Sequence, residues 1–295
     1  MPLNQHFWQK NWQIAQKLNL RNLAYRKFTQ NFLDLLYQAD LQTQDVTTAL
    51  LKNPHAQVRA EIWAKEPGMV AGLAEIEFWL KTQKIQTTWA QKDGELCTRN
   101  SCVARLRGTA QNLLQTERTA LNLLQRMSGI ATQSYHLAQK IGKYRFAVTR
   151  KTLASYLDRR AAFLGGALPY RLGLFDQIFL KENHLALEPQ LYRKIPRAKF
   201  VTLEVPTARL AQEFVRQLEG CQKLILLLDN FTVAQLKRLI PILRKLNSAL
   251  ILEASGGITP KNAVQFLATG VDFVSLGCLT HSAPALDFSW RLLKG

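Results

Sequence analysis

Short apolar runs at near-regular intervals dominate the second half of the chain: FAVT (146–149), QIFL (177–180), FVTLEV (200–205), LILLL (224–228), LILE (250–253) and DFVSL (272–276). Each is short for a helix and more uniformly apolar than a strand with one wet face, as expected of strands buried on both faces of a parallel sheet. Between them lie segments with helical apolar spacing, such as TARLAQEFVRQLEG, TVAQLKRLIPILRKL and TPKNAVQFLATG. Strand ends recur roughly every 25 residues, the span of a βα unit, which predicts a parallel α/β barrel.

The first half has another rhythm. NWQIAQKLNL and QNFLDLLYQADL carry helical spacing, and residues 54–108 hold short alternating runs, AEIWA, IQTTWA and VARLRG, set apart by PG, DG and RN turn signals. That pattern predicts a small α+β region. From about Gly108 a long helical pattern, TAQNLLQTERTALNLLQRMSG, leads into the βα repeats. Residues 1–108 are therefore assigned to an α+β domain and 109–279 to the barrel.

In such a barrel the carboxyl ends of the strands open onto one face, so residues standing where each strand stops converge. Here they are Arg150 and Lys151, Lys181, Glu204, Asp229 and Asn230, Glu253 and Ser255, and Ser275 and Gly277. Cations on two strands followed by carboxylates on three suit an anionic substrate and a metal. Glu204 and Asp229 lie one strand apart, where they could share a hard cation that also touches diphosphate oxygens, for which magnesium is the natural candidate. Salt bridges to Lys151 or Lys181 are the alternative use of the two carboxylates. The turns EASGGITPKNA (253–263) and VSLGCLTHSAPALD (274–287) follow strands, so their backbone N–H groups could cradle a phosphate. His184 follows closely on Lys181, either as an acid or base or as a structural hydrogen-bonding residue.

Composition and charge alter this picture little. At 295 residues and 47% apolar content the chain can bury a substantial core. Lys and Arg number 39 against 21 acidic residues, a net charge of +18. Nucleic acid, an anionic membrane or small anionic substrates would all suit that charge, yet it is spread along the chain with no nucleic-acid-binding motif. The spacing of Cys97, Cys102, Cys221 and Cys278 does not suit a zinc site, and reduced thiols are expected. No stretch approaches the roughly 18 apolar residues of a membrane helix, and the start lacks a signal-peptide pattern, so a cytoplasmic protein is expected.

Specific motifs then accumulate in order: DVTT (45–48), GMVAGL (68–73), DGE (93–95), TERTALNLLQRMSGIAT (116–132), TRKT (149–152), YRLGLFDQIFLKENH (170–184), LEV (203–205), LLDN (227–230), EASGGI (253–258) and SLGCLTHSAPALD (275–287). Together they resemble the quinolinate phosphoribosyltransferases, or carboxylating nicotinate-nucleotide pyrophosphorylases, over nearly the full length. The resemblance implies an N-terminal α+β sandwich-like domain, completed by residues 280–295, joined to an incomplete, roughly six-stranded barrel, with a homodimer and an active site at the subunit interface. It implies phosphoribosyl transfer from phosphoribosyl pyrophosphate to quinolinate, releasing pyrophosphate and carbon dioxide, with magnesium. Arg118, Arg150, Tyr170, Arg171 and Lys181 would meet quinolinate, Arg118 reaching from the neighbouring subunit. Lys151, Asn230, Ser255, Gly256, Gly257 and Gly277 would meet phosphoribosyl pyrophosphate, with Lys151, Glu204 and Asp229 as the catalytic set.

Some positions depart from the family's pattern. Tyr170 stands where histidine is usual, Val148 where aspartate is common, and Thr202 where an acidic residue is common; LGGA (164–167) replaces a triple glycine after a slightly shortened stretch. These departures leave room for a related phosphoribosyltransferase with another acceptor, as in paralogues associated with molybdate-transport operons. A basic nucleic-acid-binding protein on the same scaffold is the reading from a different class.

Overall fold

The computed structural model describes residues 5–195, 200–218 and 223–293. In chain order the elements are α1 (Gln5–Lys17), α2 (Leu23–Leu41), β1 (Gln57–Ala64), β2 (Gly68–Met69), α3 (Leu73–Thr82), β3 (Gln86–Trp89), β4 (Leu96–Cys97), β5 (Cys102–Thr109) and α4 (Ala110–Ile141). There follow β6 (Phe146–Val148), α5 (Ser155–Leu164), β7 (Ile178–Leu180), α6 (Glu182–Leu187), β8 (Val201–Val205), α7 (Ala208–Gln217), β9 (Leu224–Asp229), α8 (Val233–Leu246), β10 (Ile251–Ser255), α9 (Ala263–Leu267), β11 (Phe273–Leu276), α10 (Cys278–His281) and β12 (Phe288–Leu293). Among the described residues no helix is long and apolar enough to cross a membrane. Cys97, Cys102 and Cys278 are free thiols, and Cys221 lies outside the described residues.

The chain forms two compact units. One gathers residues 17–136, 153–165 and 282–295 around an antiparallel sheet of order β12-β1-β5-β3. In β1 the residues Ala60, Ile62 and Ala64 turn inward, as a half-buried strand requires, while β12 pairs along its far edge with Phe288 opposite Ala64. Asp93 accepts the N–H groups of Gly72 and Leu73 at 2.8 and 2.9 Å, satisfying donors that the start of α3 would otherwise leave open.

The long helical pattern forms α4 and runs on past MSG to Ile141. Gly129 does not end the helix; it lets the backbone carbonyl of Pro284 press against α4 where any Cβ would collide. That glycine serves close packing, which outweighs its weak helix propensity.

The other unit gathers residues 5–16, 137–152 and the described residues between 166 and 281. Its six-stranded sheet, of order β6-β11-β10-β9-β8-β7, is parallel throughout. β6 and β7 occupy opposite edges, so strand pairing does not close the barrel. The segment ahead of β7 lies along β6 instead, with the Leu168 N–H donating to the Phe146 carbonyl at 2.7 Å. All six apolar runs form the strands expected of them. Thr207 and Thr232 cap α7 and α8 by accepting N–H groups three residues on, marking where the chain turns from strand to helix.

The interior is layered because strand side chains alternate. Ala147, Ile225, Ile251 and Phe273 form its apolar floor, with Phe7 of α1 packed among them. Two residues further along come Leu227, Glu253 and Ser275, and two beyond those Asp229, Ser255 and Gly277. Cross-strand pairing of Glu204 with Leu227, Glu253 with Leu227, and Ser255 with Asp229 keeps these positions on the same face.

Candidate active site

The rim of the parallel sheet carries most of the residues singled out by sequence. Arg150 and Lys151 follow β6, Arg171 lies on the loop before β7, and Lys181 follows β7 as the N-cap of α6. Arg171 and Lys181 flank one ring: the guanidinium carbon is 5.0 Å and the lysine Nζ 5.2 Å from the centroid of Phe179. Both cations gain from the negative face of that ring, which holds them in place without neutralising them. Lys181 also pairs with Glu204 at 3.2 Å, the sequence's alternative use of that carboxylate. Arg150, Lys151 and Arg171 have no ion pair among the described residues, and the Arg171 Nε is buried without a hydrogen-bond partner. Burial and then the charge of Arg150 hold the Arg171 guanidinium below its ordinary pKa. Like charges brought together this way, with spare donors, form a receptor for an anion.

Asp229 and Asn230 end β9. The Asn230 amide Nδ2 donates to Asp229 at 2.7 Å, and its backbone N–H donates to the Ser255 carbonyl at 2.9 Å, tying the loops after β9 and β10 together. Gly256, at φ +92°, passes so close to the Asn230 side chain that a Cβ would collide with Oδ1. A glycine is thus required by both conformation and space, and it leaves backbone rather than side chain facing that turn. Gly257 follows at φ +62° with open space around it, and Gly277 directly follows β11 on the same rim.

Glu204 and Asp229 end neighbouring strands, and among the described residues no group of three or more His, Cys, Asp or Glu could hold a metal. Two carboxylates fit magnesium carried largely by diphosphate oxygens and water, and do not fit an all-protein cage.

Two residues placed at the rim by sequence lie deeper. Glu253 and Ser275 are 1% and 7% exposed, because β10 runs on to Ser255 and β11 to Leu276, leaving both one layer below the strand ends. There Glu253 accepts the hydroxyl of Tyr170 at 2.5 Å and that of Ser275. Tyr170 also meets Thr202 at 2.9 Å, and Gln177 donates to Thr202 at 2.7 Å. The two departures Tyr170 and Thr202 therefore contact each other. Tyr170 is 5% exposed, and its hydroxyl hydrogen, the one that sequence reasoning assigned to a substrate carboxylate, is committed inward to Glu253. His184 likewise serves its own turn, accepting the Lys181 N–H on Nδ1 at 3.2 Å. Arg118 belongs to the other unit, exposed on α4.

Burial lifts the Glu253 carboxyl to about 7, hydrogen bonds from Ser275 and Tyr170 partly offset that, and the charges of Glu204 and Asp229 add to it. An acid whose folded pKa exceeds its unfolded value of 4.5 costs stability as pH rises between those values, and the whole cost is present above 7. The Glu253→Gln variant should lack this cost, about 3 kcal/mol. Urea unfolding of both proteins at about pH 5 and pH 8 measures it. Parallel behaviour of the two would refute the assignment.

Comparison with known proteins agrees with the fold. Residues 45–128 match the quinolinate phosphoribosyl transferase N-terminal domain, and residues 130–291 match its C-terminal domain. A probable nicotinate-nucleotide pyrophosphorylase [carboxylating] of Archaeoglobus fulgidus is 36% identical, covering 82% of this chain and 96% of the relative. The human nicotinate-nucleotide pyrophosphorylase [carboxylating] is 34% identical, over 79% of this chain and 82% of its own. Among solved structures, the nicotinate-nucleotide pyrophosphorylase from Francisella tularensis superposes with a TM-score of 0.79 at 26% identity, covering 90% of this chain and 96% of that one. With both of its domains matched, in order and over most of the sequence, the chain belongs to the quinolinate phosphoribosyl transferase family.

Proposed function

We propose that the protein converts quinolinate and phosphoribosyl pyrophosphate to nicotinate mononucleotide, pyrophosphate and carbon dioxide, the step that forms the pyridine nucleotide in de novo NAD biosynthesis. The observation that carries this reading is the convergence of Arg171 and Lys181 on Phe179, with Arg150 near enough for its charge to act on Arg171 and with neither Arg150 nor Lys151 ion-paired among the described residues. Quinolinate brings two carboxylates and phosphoribosyl pyrophosphate a diphosphate and a phosphate, so the substrates supply the counter-charges that the rim lacks. Arg150, Arg171 and Lys181 hold the dicarboxylate, the arginines through paired N–H donors. Arg118 completes that grip from a second copy of the chain, which makes the working unit a homodimer. Lys151 faces the phosphoribosyl pyrophosphate, with Asn230, Ser255, Gly256, Gly257 and Gly277 around its ribose and 5′-phosphate.

The reaction needs orientation and charge stabilisation more than a protein nucleophile. The ring nitrogen donates its electron pair to the anomeric carbon while the bond to pyrophosphate breaks. The bond from ring carbon 2 to its carboxylate then breaks, carbon dioxide leaves, and the electron pair stays on carbon 2 beside the positive nitrogen until a proton arrives. Lys151 meets negative charge on the departing diphosphate, and Glu204 and Asp229 hold the ribose and the metal. Magnesium, when bound, neutralises diphosphate oxygens. The cytoplasm, where both substrates are soluble anions, suits this chemistry.

Purified protein given quinolinate, phosphoribosyl pyrophosphate and magnesium should form nicotinate mononucleotide and pyrophosphate in equal amounts, and a chelator should stop it. Nicotinate serves as the control acceptor. Product from nicotinate and none from quinolinate would overturn the reading in favour of another acceptor.

A further inference from the structure

Arg171 follows a residue held in an unusual way. Tyr170 has φ +52°, a left-handed conformation that residues with a Cβ adopt at a cost of order 1 kcal/mol unless their surroundings fix it. Its hydroxyl is held by Glu253 and Thr202. Its ring lies edge-on to Phe273 at 5.3 Å and tilted against Phe7 at 6.4 Å. Its backbone N–H donates to the side-chain oxygen of Asn11, on α1, at 3.0 Å. On the far side of Arg171, the Leu172 N–H donates to Asp176 at 3.1 Å.

Asn11 is itself out of place by local rules. It sits in the middle of α1, where asparagine is a poor helix former, and it is 2% exposed. Both ends of its amide are used: the Nδ2 donates back to the Phe7 carbonyl at 2.9 Å, and the oxygen takes the Tyr170 N–H. A buried amide in a helix interior costs desolvation unless every polar atom is paired, and here the pairing runs to the residue that aims Arg171. Phe7, one turn earlier, stacks on Phe273 at 5.2 Å and anchors the helix in the floor of the barrel.

We propose that Asn11 is a positioning residue for acceptor binding: by holding the Tyr170 backbone it sets the direction of Arg171, so the N-terminal helix takes part in recognising the dicarboxylate. This rests on the reading of Arg171 as a quinolinate ligand. Asn11 touches no substrate; its effect passes through one backbone hydrogen bond, and the diphosphate-facing side of the rim does not depend on it.

The test is a pair of variants, Asn11→Leu as a near-isosteric replacement and Asn11→Ala as a smaller one that favours helix. Steady-state kinetics give KM for each substrate, and calorimetric titration with quinolinate alone gives its Kd without turnover. Loss of one hydrogen bond predicts a rise in quinolinate KM and Kd of roughly five- to tenfold for both variants, with the phosphoribosyl pyrophosphate KM within about twofold. Unchanged quinolinate affinity in a folded Leu or Ala variant would overturn the proposal while leaving the enzyme's activity intact. An equal rise in both KM values would show a merely structural role and overturn it too. Wild-type protein that neither binds nor converts quinolinate would remove both this proposal and the functional reading beneath it.

Discussion

Replacing Arg171 by alanine is expected to raise the quinolinate KM on the order of a hundredfold, with kcat reduced far less and the phosphoribosyl pyrophosphate KM nearly unchanged. The magnitude follows from what the side chain offers. Its Nε is buried with no hydrogen-bond partner among the described residues and its guanidinium lies over Phe179, so the donors are preorganised toward the rim at little further cost in entropy. Charge-assisted hydrogen bonds to a carboxylate contribute about 1.5–3 kcal/mol each, and losing a grip worth about 3 kcal/mol corresponds to roughly a hundredfold in affinity. Lysine at this position should recover only part of the loss, because an ammonium supplies charge without the planar fork. Initial rates over a grid of both substrates decide the matter. Equal effects on the two KM values, or a fall in kcat with quinolinate KM unchanged, would contradict ground-state binding of the acceptor by Arg171.

Much of this site could be read from the sequence because of the period-two rule. Once the apolar runs were taken as parallel strands, the residue types at their ends had to share a rim, and Lys181, Glu204, Asp229 and Ser255 do. What the sequence concealed was depth. Glu253 and Ser275 look like strand-end residues because the apolar run ceases at them, yet the backbone keeps pairing beyond, and a polar pair under the rim is indistinguishable from one on it until the register is known. The same limit applies to Tyr170, whose neighbour in sequence is a rim cation while its own hydroxyl is satisfied from below by Glu253 and Thr202. Asn11 carried no signal at all: one asparagine in an amphipathic helix reads as a surface position, and only the long-range bond to Tyr170 gives it meaning. Gly129 shows the same limit for helix length, since nothing local to it favours a helix and its role is to let Pro284 pack closely against α4.

The other large effect concerns stability and lies in the unit built on the antiparallel sheet. Glu75 is fully buried on α3, paired with Arg160 at 2.9 Å and accepting the Tyr25 hydroxyl at 2.8 Å, with its second oxygen left without a hydrogen-bond partner among the described residues. Arg160 reaches on to Asp93 at 3.3 Å and to the Leu18 carbonyl at 3.0 Å. Burial already pushes the Glu75 carboxyl above its ordinary value despite the guanidinium beside it. Arg160→Met should therefore strand that carboxylate and destabilise the protein by about 3–5 kcal/mol near neutral pH, lowering Tm on the order of 10 °C. The deficit should grow with pH. Without Arg160 the folded pKa of Glu75 rises further, so the folded state holds a proton that the unfolded state releases above 4.5, and stability falls as pH climbs from there through the raised folded value. Adding Glu75→Gln to Arg160→Met should then restore much of the loss near neutral pH and little near pH 5. Thermal melts of the single and double variants across that range test the argument, and a deficit that is small or independent of pH would mean that the ion pair is not what keeps Glu75 charged inside the fold.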